Sequence, residues 1–131
     1  MPNRRPIRNI SISDLVHYRL PVPGMLSILH RASGALMFLS LPALLWLFDL
    51  SLRSEASYEH LKALASNSLV RILLVGAAWA LLHHTCAGVR YLALDLDMGV
   101  DRPAARRSAW IVFAVSGLLT AFAALVVFGV L

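Results

Sequence analysis

Two short stretches place reactive side chains inside apolar sequence: Ser27-Ile28-Leu29-His30-Arg31-Ala32-Ser33-Gly34 and His84-Thr85-Cys86-Ala87-Gly88-Val89-Arg90. Hydroxyls, imidazoles and guanidinium groups are costly in such surroundings unless each has a partner, so their presence argues for use. On a helix, positions three, four and seven apart share a face. That gathers Ser27, His30, Arg31 and Gly34 in one stripe, and His84, Gly88, Tyr91 and Asp95 in another. Gly34 and Gly88 each remove a side chain one turn from a histidine, which admits a neighbouring helix or a flat cofactor to the backbone. A histidine beside such a gap suits an axial ligand to haem. His83 lies roughly 100° around the helix from His84, so the two cannot clamp one iron from both sides. One chain then supplies one ligand, and the opposite one comes from another subunit.

The remaining groups suit the edges of such a cofactor. Haem propionates brought to membrane depth need cationic or hydrogen-bonding partners, and His30 and Arg31 are placed to serve. The carbonyl oxygens of a quinone want a hydroxyl or a cation, and Ser27 with Arg31 offers one of each. Plainer roles compete for every one of these residues. His30 and Arg31 fit an interfacial pair whose polar ends reach the headgroups, His83 and His84 fit polar contacts between helices, and Arg90 fits an interface anchor. Trp46 and Trp110 suit aromatic belts, while Trp79 lies deeper and packs.

The elements that position these residues follow from composition. With 131 residues, 59% hydrophobic and 15% charged, and a mean hydropathy of +0.72, the chain is too apolar for a soluble domain of its size. It reads as an all-α integral membrane protein with a single membrane domain, residues 1–131. A polar arm, residues 1–22, closes at Pro21-Val22-Pro23-Gly24, where proline favours a helix start. Apolar runs long enough to span a bilayer follow at residues 25–48, 69–92 and 108–130. The first loop contains enough mixed polar sequence for a short interfacial helix. The last span has no ionisable residue. Cys86 is the single cysteine, which excludes an internal disulfide. The first apolar run is too long for a cleaved signal peptide.

The net charge of +5 and pI near 10.4 report membrane orientation and contact with anionic lipid rather than nucleic acid. The arm and second loop hold Arg4, Arg5, Arg8, Arg19, Arg102, Arg106 and Arg107, against Arg53 and Lys62 in the first loop. The N-terminus is therefore expected in the cytoplasm and the C-terminus in the periplasm. With the first span leaving that face and the second returning to it, Ser27, His30 and Arg31 share a depth with His84 and Arg90. His84 lies roughly 9 Å deeper than Arg90 along the helix. Two segments distant in sequence converge on one polar layer.

The first stretch resembles an S-x-x-H-R-x-[ST]-G signature, and His84-x-x-x-Gly88-Val89-Arg90 followed by Asp95 resembles H-x-x-x-G-x-R-x-x-x-x-D. Both belong to the cytochrome b556 subunit family of succinate dehydrogenase, and the similarity runs from Arg5-Pro6 through the third span. The resemblance implies a bacterial inner-membrane protein whose three helices form part of a heterodimeric haem-binding bundle. It implies partnership with a second small membrane anchor, an iron–sulfur subunit and a flavoprotein, with succinate oxidised elsewhere in the complex. One haem b would sit between the two anchors, with His84 ligating its iron and His30 and Arg31 near its propionates. Ser27 and Arg31 would line a ubiquinone site completed by the iron–sulfur subunit and the other anchor. Tyr91 stands where the family commonly has histidine, and the spacing from Arg5-Pro6 to Ser27 is longer than usual. Two alternatives use the same architecture: a fumarate reductase anchor and a non-haem anchor or assembly protein. A self-contained cytochrome b is disfavoured, because the third span lacks a histidine.

Overall fold

The computed structural model describes residues 20–130, so the arm's Arg5-Pro6, Asp14 and His17 lie outside the described residues. Four helices follow in chain order: α1 (Val22–Arg53), α2 (Glu55–Ala65), α3 (Ser68–Asp95) and α4 (Arg102–Val127). Three of them, α1, α3 and α4, are long and apolar enough to cross a membrane. The 32 residues of α1 extend ~48 Å at the helical rise, well beyond a hydrocarbon core of ~30 Å. α1 therefore overruns the apolar stretch it contains at both ends.

Local chemistry fixes the ends. Pro21, in extended conformation, precedes α1, and its carbonyl accepts from the Gly24 and Met25 amides (2.8 and 3.1 Å). Pro23 falls in the first turn, where the missing N–H has no helical partner to lose. At Ser54 the backbone turns extended, and Ser54 and Ser57 cap each other's amides to start α2. The helix expected in the first loop is thus a defined element, with no buried residue. The α3 N-terminus is closed by the Asn67 side chain, which accepts from the Leu69 amide (2.9 Å).

The start of α4 departs from the sequence reading. Asp101 accepts from the Ala104 amide (3.2 Å) and Pro103 occupies the first turn. The helix therefore begins at Arg102 rather than near Ser108, and Arg102, Arg106 and Arg107 ride on its first two turns instead of in a loop. Its other end closes at Phe128, where Gly129 adopts φ +72° and the Val130 amide donates to Leu125 O (2.9 Å).

α3 packs between α1 and α4, and α1 also touches α4. The core is small: Leu26, Ala87, Ala109 and Val112, flanked by Val22, Cys86, Tyr91 and Phe113. Alanines at these positions let the helix backbones approach. Most large apolar side chains, including Phe38, Leu39, Ile72, Leu118 and Phe122, point outwards. So broad an apolar exterior belongs in lipid or against other membrane helices. Among the described residues the buried polar groups are Ser33, His83, Arg90 and Ser116, and all four lie at the seams between spanning helices.

Candidate functional site

α1 and α3 run antiparallel and cross with a reciprocal register: His30 lies opposite Gly88, and His84 lies opposite Gly34. A Cβ at Gly34 would stand 2.7 Å from His84 Cε1 and 3.1 Å from Nδ1, whereas one at Gly88 would stand 3.8 Å from His30 Nε2. The two imidazoles stack at a centroid distance of 4.2 Å and an interplanar angle of 13°. Tyr91 tilts against His30 at 5.0 Å and 46°. Spacing alone lets the glycines admit a neighbouring helix or a flat cofactor; in the structure each faces an imidazole from the opposite helix.

The hydrogen bonds of His84 define its chemistry. Its Nδ1 lies 3.0 Å from His30 O, and a carbonyl can only accept, so Nδ1 carries the hydrogen and donates. The Ser33 hydroxyl also donates to His30 O (2.9 Å). That leaves its 3.4 Å approach to His84 Nδ1 as a contact between neighbours sharing an acceptor. With Nδ1 protonated, the lone pair of the neutral ring resides on Nε2. A histidine that gives one N–H to a backbone carbonyl is in the state a metal ligand requires, with ring orientation and tautomer both fixed. His84 is half-buried, so its ring is not sealed inside this chain. Among the described residues no three metal-ligating side chains gather. What the arrangement offers chemically is one imidazole nitrogen, His84 Nε2, with its lone pair free.

Ser27 and Arg31 meet on α1, one turn apart. Arg31 Nε–H donates to Ser27 O (3.2 Å) and an Nη2–H donates to Ser27 Oγ (3.3 Å). The serine hydroxyl, accepting from the guanidinium, keeps its own proton to give. Arg31 is exposed and Ser27 half-buried. Among the described residues the ion pairs are Arg53–Asp49 and Lys62–Glu59, so Arg31 faces no carboxylate there. The structure brings Ser27 to Arg31 and His30 to His84. Asp95, on the His84 stripe by sequence, is exposed at the end of α3, and His60 is exposed on α2.

The residue before His84 turns elsewhere. His83 is 1% exposed and sits in the seam between α3 and α4, with Nδ1 3.3 Å from Ser116 Oγ. It stacks between Trp79 (5.4 Å) and Phe113 (5.6 Å), and its Nε2 is buried without a partner among the described residues. Arg90 is a residue the sequence reading undervalued as an interface anchor. It is 8% exposed; Nε–H donates to Ser108 Oγ (2.8 Å) and an Nη2–H donates to Ala105 O (3.1 Å). Its guanidinium lies 5.5 Å from the Tyr91 ring centroid. Small residues at 105, 108 and 109, one face of α4, were the available signal that a long side chain from a neighbour lies there.

These features define a multi-pass helical membrane protein whose buried polar groups lie at its helix seams. The family model described as succinate dehydrogenase/fumarate reductase transmembrane subunit matches residues 1–123. The chain is similar to the succinate dehydrogenase cytochrome b556 subunit of Coxiella burnetii, 36% identical over 118 residues that cover 89% of this chain and 90% of that protein. The corresponding subunit of Rickettsia felis is 33% identical, covering 90% and 89%. That of Paracoccus denitrificans is 28% identical, covering 85% of each. The chain belongs to the succinate dehydrogenase/fumarate reductase transmembrane subunit family.

Proposed function

We propose that this chain is a membrane-anchoring cytochrome b subunit of a bacterial succinate:quinone oxidoreductase, and that it supplies one axial ligand to a haem b and part of a ubiquinone site. The observation that carries this reading is the His84 Nδ1–H···O bond to His30, which leaves Nε2 as the free lone-pair nitrogen. The names of the relatives support the assignment to succinate dehydrogenase over a fumarate reductase anchor. Haem, when bound, supplies a one-electron carrier beside the quinone site. His84 would hold the iron for this chain, and another subunit would supply the second ligand. His30 and Arg31 serve the propionates.

Ser27 and Arg31 act on the quinone. The Ser27 hydroxyl, itself accepting from Arg31, donates to a quinone carbonyl. The Arg31 guanidinium places positive charge where reduction builds negative charge on that oxygen. Electrons arrive through an iron–sulfur subunit fed by a flavoprotein, and this chain anchors both at the cytoplasmic face with its N-terminus on the same side. Succinate is not oxidised here.

The test is to isolate the tagged chain from its native membranes in mild detergent, record a reduced-minus-oxidised visible spectrum and identify the co-purifying proteins. The expected result is a b-type band with a flavoprotein, an iron–sulfur protein and a second small membrane subunit. The complex carrying S27A or R31A is expected to lose quinone reduction while succinate still reduces a soluble dye. Intact quinone reduction in both variants would defeat the quinone assignment, whereas equal loss of both activities would mark failed assembly.

A further inference from the structure

The histidine–glycine pairs of α1 and α3 are alike in sequence, each with glycine four residues after histidine, but unlike in geometry. A Cβ at Gly88 would meet His30 at an ordinary contact distance, 3.8 Å. A Cβ at Gly34 would meet His84 Cε1 at 2.7 Å, closer than atoms of this kind approach. The ring cannot swing aside freely, because Nδ1 is tied to His30 O and its face is stacked on His30. Any rotation that relieves the clash lengthens the Nδ1–H···O bond and re-aims Nε2.

We infer that Gly34 is a positioning residue for His84: its bare backbone is the seat that holds the imidazole against the His30 carbonyl and aims Nε2 outward. This rests on the reading of His84 as a haem ligand, but it assigns a separate role to a residue on a different helix. The same seat explains why one α1 turn carries both contacts. The His30 carbonyl fixes the tautomer, and the missing side chain at Gly34 fixes the position.

The experiment compares G34A, G88A and H84A in the assembled complex, reading haem per flavin, the low-temperature electron paramagnetic resonance g-values of the haem and its midpoint potential. G34A is expected to lose haem several-fold, with shifted g-values and potential in what remains. G88A, at the same crossing, is expected to keep native values. Native haem content, g-values and potential in G34A would overturn the inference, as would equal damage from G88A. Thermal stability of the complex gives a second readout, which also covers a G34A complex that assembles poorly. If Gly34 acts through the His84 ring, G34A destabilises the native complex but adds nothing in the H84A background, and assembly lost in G34A returns in the double variant. An equal penalty in both backgrounds would mean that Gly34 serves helix packing alone. Should H84A itself retain haem, the ligand assignment fails while the stability cycle still reports on the seat.

Discussion

The two seams of α3 make a controlled comparison, because adjacent residues of one helix enter them. His84 enters the α1 seam, gives its Nδ1–H to a backbone carbonyl and remains half-buried. His83 enters the α4 seam, meets the Ser116 hydroxyl and two aromatic faces, and is sealed. The same side chain therefore becomes a candidate ligand or a structural contact according to what its nitrogens face. A carbonyl fixes one nitrogen as donor and frees the other. The Ser116 hydroxyl donates to Phe113 O (3.4 Å) and so accepts from His83 Nδ1–H. What separates the two histidines is that Nε2 of His83 is buried without a partner among the described residues.

The sharpest way to break this contrast is to remove each histidine in turn. H84A is expected to abolish the haem band in the purified complex. H83A is expected to keep the band and its position while lowering the thermal midpoint, because it removes a packed ring and opens a cavity between Trp79 and Phe113. Loss of haem in H83A with retention in H84A would exchange their roles.

Arg90 tests whether the α4 seam is structural throughout. It ties α3 to α4 through Ser108 and Ala105, and truncation to alanine removes both bonds and the packing on Tyr91. Ser108 keeps a partner afterwards, since its hydroxyl also lies 3.1 Å from Ala105 O. No buried group is orphaned on that side, so the expected cost is moderate, about 1–2 kcal/mol. R90A is expected to lower the thermal midpoint and leave the haem spectrum unchanged. R90K is expected to recover little, because an ammonium lacks the planar fork that reaches hydroxyl and carbonyl together. A haem shift in R90A matching that of an α1-seam variant would merge the two regions into one site.

How much of this was legible in the sequence follows the same division. Ser27, His30, Arg31 and Gly34 are an i, i+3, i+4, i+7 set on one helix, and their stripe can be read without a neighbour. The convergence of His30 with His84 was also legible, because spans that alternate in direction set their relative depth. What the glycines face was not. Both are compatible with a cofactor, and only the register of α1 on α3 reveals imidazoles there. The partners of Arg90 and His83 are not visible in the sequence for one reason: helices that are apolar nearly all round carry no stripe to show which side meets which partner. The start of α4 was missed because the hydropathy of Arg106 and Arg107 outweighed Asp101, the residue that caps the helix before them.

The finest test compares two buried serines, one in each seam. Ser116 meets a side-chain nitrogen of His83, so S116A removes that nitrogen's partner and is expected to cost about 0.6 kcal/mol with no spectral effect. Ser33 meets no nitrogen as a true partner; it donates to His30 O, the acceptor that His84 also uses. A carbonyl has two lone pairs, and this one already serves the α1 helix. Removing the Ser33 hydroxyl relieves the competition and strengthens the bond from His84 Nδ1–H. A more strongly bonded Nδ1–H makes Nε2 a better electron donor, which favours ferric over ferrous iron. S33A is therefore expected to keep its haem and lower its midpoint potential slightly in redox titration, opposite in direction to a variant that loosens the His84–His30 bond. An upward shift in S33A would mean that Ser33 supports the His84 bond instead of competing with it, and that the 3.4 Å contact is the one His84 uses.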